Sequence, residues 1–194
     1  LEGVAYDRFV ERFVLGVKRN FPDALIQWED FAKHKAFKLL ERYRERVLSF
    51  DDDIQGTGAT ACAALLAATR AKRSSFAEQR FVIAGVGQAG IGTAHALRAI
   101  LVEEGLPDDE ARRRIFAVDR QGLLLDDDSG LEDAQRPFAQ PRAAVADWKL
   151  AAPGRIELKD VVRNARATAL IGYTATPGLF DAEILRQMGV NDAR

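Results

Sequence analysis

The chain has 194 residues, 47% hydrophobic and 29% charged, with 28 Lys and Arg against 29 Asp and Glu for a formal charge of −1. That balance belongs to a globular chain with a substantial core, and its near-neutrality argues against a protein that neutralises a phosphate backbone, so no nucleic-acid partner is expected. No apolar run approaches the ~20 residues of a membrane span, and no basic segment followed by an apolar one marks a secretory leader. The single cysteine, Cys62, excludes an internal disulfide and any multi-cysteine zinc or iron–sulfur site. A reducing, cytoplasmic setting with no membrane partner is the expectation. The only methionine is Met188 and the chain opens at Leu1, so it is expected to be part of a longer polypeptide.

Residues 6–20 place Phe9, Val10, Phe13, Val14 and Val17 at helical spacing. Pro22 closes that helix, because a proline disfavours helical backbone in the residue before it. Ala24 to Trp28 reads as a short buried strand that runs into Glu29-Asp30. Lys33 to Val47 is helical again, with Ala36, Leu40, Tyr43 and Val47 on one stripe, and Val47 to Phe50 is a second short strand ending in Asp51-Asp52-Asp53. An alanine-rich helix follows from Thr57 to Arg70.

Arg80 to Ala84 reads as a strand, followed by the glycine-rich stretch Gly85 to Gly92 and a helix to about Glu104. Gly105 suits its C-terminal cap. Pro107 opens another helix, with acids at 108–110 and Arg112 to Arg114 at its far end, the order that the helix dipole favours. That arginine run reads as a solvated helix end. Ile115 to Val118 is a strand ending at Asp119, residues 126–155 are a long loop with short pieces of structure, and Ala169 to Ile171 is a further strand. A last helix runs from Asp181, its cap, to Met188. Strands alternating with helices from Arg80 onward imply right-handed crossovers and a parallel sheet covered on both faces. The fold expected is α/β: a Rossmann-like, doubly wound, mostly parallel sheet.

Gly85-x-Gly87-x-x-Gly90 follows a strand and opens a helix, the setting of a dinucleotide fingerprint. The first glycine permits the tight turn, the second lets a pyrophosphate approach the backbone, and the third brings the helix close to the sheet. The helix N-terminus offers unpaired N–H groups to the phosphates. By itself the string is a weak signal, since such turns also occur without a nucleotide. Asp119, at the end of the next strand, suits an adenosine ribose, although the gap from Gly90 is longer than usual; the alternative is a turn aspartate. A carboxylate there favours NAD over NADP, while Arg120 beside it works the other way.

Glu29-Asp30 and Asp51 to Asp53 end two short strands. If those strands run the same way, the carboxylates converge and repel unless a cation sits among them, and oxygen donors suit Mg²⁺ or Mn²⁺. Solvated turn acids are the alternative. His34 and His95 lie in helices away from any triad pattern and read as structural, and Cys62 as a small buried hydrophobe. Gly172, Thr176 and Gly178 follow the last strand, in a loop that either contacts a cofactor or is an ordinary tight turn.

Taken together, Leu25-Ile26-Gln27-Trp28-Glu29-Asp30-Phe31, Leu39-Leu40-Glu41-Arg42-Tyr43-Arg44, Phe50-Asp51-Asp52-Asp53-Ile54-Gln55-Gly56-Thr57, the Gly85 to Gly92 loop, Val118 to Leu124, Leu170-Ile171-Gly172 and Gly178-Leu179-Phe180 resemble the malic enzyme family. Asp147-Trp148 and Asp160 to Asn164 are closest to its bacterial NAD-linked branch. The ordered set covers most of the chain. The resemblance implies an enzyme that oxidatively decarboxylates L-malate to pyruvate and CO₂ with reduction of NAD. It implies Mn²⁺ or Mg²⁺ held by Glu29, Asp30 and Asp53, and a proton-relay role for Asp52. Gly85, Gly87, Gln88, Ala89 and Gly90 would hold the pyrophosphate and Asp119 the ribose, with Asp53 beside the cofactor as well. Gln135 matches a position at which NAD-preferring members carry a neutral side chain. Residues 1–56 would then be part of a substrate- and metal-binding region and 57–194 a C-terminally incomplete NAD-binding domain.

The same resemblance implies a homo-oligomer, dimer or tetramer, with a small-molecule substrate. A malolactic enzyme and a non-catalytic NAD-sensing module are the alternatives. The chain departs from the family in three respects, one being that the strand and asparagine-bearing loop that come next in relatives fall outside this sequence. The catalytic tyrosine and lysine of relatives fall outside this sequence, so residues 1–194 alone are expected to be inactive, and Asp51 stands where relatives often have asparagine. The strand at Ala169–Ile171 is expected at a bare sheet edge.

Overall fold

The computed structural model describes residues 1–192 and divides the chain into two compact units, one ending at Asp52 and one beginning at Asp53. Residues 193 and 194, the last two of the expected second domain, lie outside the described residues.

The first unit is built by helices α1 (Gly3–Asn20) and α2 (Lys33–Tyr43) around a two-stranded parallel sheet, β1 (Ile26–Trp28) and β2 (Ser49–Asp51). Its core gathers Val10 and Val14 of α1, Ile26 and Trp28 of β1, and Leu39 and Tyr43 of α2. The expected stripe on α1 divides, because Phe9 and Phe13 remain 61% and 51% exposed while Val10 and Val14 are buried. The second helix stops at Tyr43, short of the expected Val47. Tyr43 stacks on Trp28 at 5.5 Å between ring centroids, and its hydroxyl donates to Glu11 of α1 at 2.8 Å. Arg42 and Arg46 meet the same carboxylate, each at 2.8 Å, so Glu11 bolts α1 to the end of α2. Hydrogen bonds from Arg46 and then Tyr43 hold the Glu11 carboxyl down at about 2. Burial, and then the bond to Glu11, pushes the Tyr43 phenol up to about 12.

In the second unit the chain is already wound into a π-helical turn at Asp52–Gly56 before α3 (Thr57–Ala71) begins. A four-stranded sheet follows in the order β5-β4-β3-β6, built from β3 (Phe81–Ala84), β4 (Ile115–Asp119), β5 (Gly122–Leu123) and β6 (Ala169–Gly172). β3 pairs in parallel with both β4 and β6, and the short β5 returns antiparallel along β4. Alternation along the strands splits two faces. Val82, Ala84, Phe116 and Val118 enter a core with Leu158, Val161, Val162 and Ile184 from α6 (Leu158–Asn164) and α7 (Ala182–Asp192). Phe81, Ile83, Ile115 and Ala117 point the other way and are fully buried. Helix α4 (Gln88–Glu103) packs on α3 and on β3 and β4. β6 is half-buried, with its one strand partner on the β3 side, in keeping with the expected edge.

Helix α5 (Asp108–Arg113) starts one residue after the expected Pro107, which serves as its cap. Its arginine end is more than solvated charge: Asp108 accepts from both Arg98 of α4 and Arg112, and these bonds hold the Asp108 carboxyl below the usual range. Two elements were not anticipated. β5 turns on Gly122 at φ +103°, and α6 is opened by a reciprocal cap between Glu157 and Asp160. Within the long 126–155 segment, buried Gln140 donates to the Ile115 carbonyl at 2.7 Å and fastens the loop to β4.

Two glycines set how closely α4 can pack. A Cβ on Gly92 would sit 1.8 Å from the Ile54 carbonyl oxygen, and one on Gly58 would sit 2.8 Å from the Gly92 carbonyl. Gly92→Ala is therefore expected to destabilise the second unit by about 3 kcal/mol or more, because backbone must move to admit a methyl group; urea unfolding followed by circular dichroism reads the change. In the first unit Glu11→Gln should lower the melting temperature at neutral pH. The Glu11 carboxyl is depressed from 4.5 to about 2, so its contribution is complete above pH 4.5 and fades as pH falls toward 2. The melting difference between variant and wild type should shrink over that window.

Candidate functional site

The glycine turn between β3 and α4 is assembled by close backbone packing. Gly85 has φ +98°, and a Cβ there would lie 2.4 Å from the Tyr173 carbonyl oxygen; a Cβ on Gly90 would lie 2.1 Å from the Gly85 carbonyl oxygen. Neither position tolerates a side chain. Gly87 is different. It caps α4 in extended backbone, and nothing lies within 4 Å of where its Cβ would be. The turn is thus closed beneath Gly85 and Gly90 and open above Gly87. The first N–H groups of α4, at Gln88, Ala89 and Gly90, point along the helix axis without an intrahelical acceptor. A pyrophosphate has room to reach them, so the residues present fit a dinucleotide.

Asp119 ends β4, next to β3 in the sheet. Its Oδ1 accepts from the backbone N–H of Arg120 at 2.9 Å, and its Oδ2 from Gln135 Nε2 at 3.3 Å. Gln135 is 6% exposed; its amide also donates to the Val86 carbonyl at 3.4 Å, and its own oxygen accepts from the Glu132 N–H at 3.1 Å. The loop that carries Gln135 is therefore fastened both to the glycine turn and to the strand-end carboxylate. Chain reversal places β4 and β6 on opposite sides of β3, so the carboxyl end of β3 is the switch point at which open α/β sheets take up ligands.

In the first unit, β1 and β2 run the same way, with Trp28 opposite Asp51, so Glu29-Asp30 and Asp52 leave their strands at one end. Asp30 holds φ +60°, a strained conformation that an aspartate tolerates and that turns the chain sharply after Glu29. Gln27 Nε2 donates to Glu29 Oε2 at 2.7 Å and to Asp52 Oδ2 at 2.8 Å. One amide thus spends both hydrogens holding two like charges together. The sequence reading passed over Gln27; the signal available was an outward-facing amide between two inward residues of a strand, next to an acidic pair.

Glu29 and Asp30 belong to the first unit and Asp53 opens the second, one residue before Ile54, whose carbonyl rests on Gly92 of α4. The donors are carboxylate oxygens throughout, which is the right chemistry for Mg²⁺ or Mn²⁺. Among the described residues, however, no three or more His, Cys, Asp or Glu side chains are gathered as a ready-made metal site.

The remaining residues singled out from sequence take structural places. His95 packs edge-on against Phe138 at 4.8 Å. Cys62 is buried, and burial pushes its thiol up to about 11, which leaves it an unreactive small hydrophobe.

The family model described as "Malic enzyme, NAD binding domain" matches residues 54–194, and that described as "Malic enzyme, N-terminal domain" matches residues 1–44. The chain is 48% identical over 188 residues to the NAD-dependent malic enzyme of Sodalis glossinidius, covering 97% of this chain and 33% of that protein. It is 48% identical over 186 residues to the NAD-dependent malic enzyme of Shewanella frigidimarina, covering 96% and 33%. Among solved structures, the NAD-dependent malic enzyme of Thermotoga maritima superposes with a TM-score of 0.66 at 25% identity, covering 92% of this chain and 43% of that one. The chain thus spans about a third of the length of the curated relatives it matches.

The open position generates a clean test. Gly87→Val places a branched side chain on the open side of the turn, where nothing lies within 4 Å of its Cβ. It is expected to weaken NADH binding at least tenfold, read by fluorescence titration, with stability lowered by no more than about 1 kcal/mol, the scale of an altered helix cap.

Proposed function

Since the chain belongs to the malic enzyme family, we propose that it supplies the NAD-binding part, and part of the substrate- and metal-binding part, of an enzyme that oxidatively decarboxylates L-malate to pyruvate and CO₂. The observation that carries this reading is the glycine turn, closed beneath Gly85 and Gly90 and open above Gly87, with Asp119 on the neighbouring strand end. NAD, when bound, accepts a hydride from C2 of malate. Gly85, Gly87, Gln88, Ala89 and Gly90 hold its pyrophosphate through backbone N–H groups. Asp119 accepts hydrogen bonds from the adenosine ribose, and Gln135 keeps that carboxylate turned toward it. The negative charge of Asp119 disfavours a 2′-phosphate, which supports NAD over NADP.

Glu29, Asp30 and Asp53 are proposed as the ligands of Mn²⁺ or Mg²⁺, on the strength of their donor chemistry and of the common strand end from which Glu29 and Asp30 emerge. A bound ion would supply Lewis-acid polarisation of the substrate's C2 oxygen. Asp53 is also proposed to lie near the cofactor, since the next residue, Ile54, rests its carbonyl on Gly92 of α4. Asp52, which Gln27 bridges to Glu29, is proposed to pass a proton between substrate and solvent. Catalysis by residues 1–194 alone is not expected, and the enzyme is proposed to act as a cytoplasmic homo-oligomer. No described helix is long and apolar enough to cross a membrane. Exposed Phe9, Phe13, Phe21, Leu25 and Leu48 favour further polypeptide against the first unit.

Calorimetric titration of the chain tests the reading. NADH should bind at least tenfold more tightly than NADPH, and equal affinity would remove Asp119 from the ribose site. Mn²⁺ titration followed by electron paramagnetic resonance should give a saturable site that Asp53→Ala abolishes while NADH still binds. An unchanged Mn²⁺ isotherm in that variant would remove Asp53 from the ligand set.

A further inference from the structure

Tyr173 follows Gly172, the last residue of β6, and is clasped against the glycine turn by its backbone. Its N–H donates to the Ala84 carbonyl at 2.7 Å, and its own carbonyl oxygen lies 2.4 Å from the position a Cβ on Gly85 would take. Its side chain reaches α4, where the hydroxyl shares a 2.7 Å hydrogen bond with Thr93 Oγ1, on a residue with no exposed surface. The far end of the same loop is also pinned, because the ring of Phe180 lies 2.6 Å from where a Cβ on Gly172 would be. Between these pins Ala175 to Gly178 are exposed, and Thr174 and Thr176 bond to each other at 3.0 Å.

The sheet order gives this loop a direction. β4, with Asp119, lies on one side of β3, and β6 lies on the other. A dinucleotide with its adenosine ribose at Asp119 and its pyrophosphate at the glycine turn extends its remaining half toward the end of β6. We propose that Tyr173, held by Thr93, is a positioning residue that fixes the 174–178 loop as a preformed wall for the nicotinamide half of the cofactor. The proposal rests on the dinucleotide reading of the turn. The physical advantage is preorganisation: a loop ordered in the free protein need not be ordered when ligand arrives. The bond also occupies a buried hydroxyl that would otherwise be costly to desolvate. The ADP part, with its ribose at Asp119 and its pyrophosphate at the glycine turn, gains nothing from this bond in the proposal.

The test separates the two halves of the ligand. The chain, and its Tyr173→Phe, Thr93→Val, Thr93→Ser and doubly substituted Tyr173→Phe/Thr93→Val forms, are titrated calorimetrically with NADH and with ADP. Melting curves establish that each variant is folded. Tyr173→Phe and Thr93→Val are each expected to weaken NADH about fivefold or more, the effect of losing one buried hydrogen bond, while ADP stays within about twofold. Thr93→Ser, which keeps the hydroxyl, should bind as wild type does, and the double variant should be no weaker than either single one. Equal weakening of both ligands would make the bond merely structural and overturn the proposal, as would unchanged NADH affinity or additive losses in the double variant. If the unsubstituted chain binds neither ligand, the nucleotide reading fails and this proposal fails with it; if it binds both and the variants do not discriminate, only the proposal fails.

Discussion

Backbone approaching backbone at three glycines is the constraint on which the second unit depends. Gly85, Gly90 and Gly92 each place a carbonyl oxygen, from Tyr173, Gly85 and Ile54 respectively, where a side chain would otherwise be. Those contacts let the amino end of α4 sit on the carboxyl ends of β3 and β6 and against the turn that carries Asp53. A helix end brought so close to the strand ends gathers its first N–H groups at one spot, an arrangement suited to an anion. Gly87, with open space above it, is the position the packing leaves vacant.

Around this turn, polar groups fasten loops that sequence alone leaves free. Gln135 joins the glycine turn to Asp119, Gln140 ties the same long segment to β4, and Tyr173 ties the loop after β6 to α4. Each is an uncharged polar group whose partner is a backbone carbonyl, a carboxylate or a hydroxyl. Neutral groups suit this purpose because they can be buried at the cost of one satisfied hydrogen bond, whereas a buried charge needs a full counter-charge. The second unit thus holds the loops around the glycine turn through neutral side chains.

The first unit handles charge differently. Glu11 gathers Arg42, Arg46 and the Tyr43 hydroxyl into one cluster behind the aromatic pair Trp28 and Tyr43. Trp28 is the residue immediately before Glu29, so the rigidity of that cluster is passed directly to the acidic corner. At the corner itself the amide of Gln27 holds Glu29 and Asp52 side by side, and the left-handed Asp30 turns the chain away. Two carboxylates kept close by a single neutral amide form a place where added positive charge is favoured.

The alternation of apolar strands with amphipathic helices, the glycine spacing and the acids at strand ends were legible in the amino-acid sequence, because each depends on local periodicity or on the steric demands of one residue. The parallel course of β1 and β2, needed to bring Glu29 and Asp52 together, was only a condition in the sequence and is met in the fold. Phe9 and Phe13 matched the helical pattern of α1 and still lie outside, since periodicity marks an apolar face without saying what covers it. β5 and α6 escaped notice because one is two residues long and the other is opened by the Glu157 and Asp160 side chains rather than by a stripe. Gln27 and Gln135 were marked only through the family resemblance and Tyr173 not at all, because their contacts are with partners 25, 16 and 80 positions away. Sequence therefore determined which elements form and where a dinucleotide could lie. Tertiary structure decided which neutral side chains hold the surrounding loops, because hydrogen bonds between distant residues exist only once the sheet order has brought them within 3 to 4 Å.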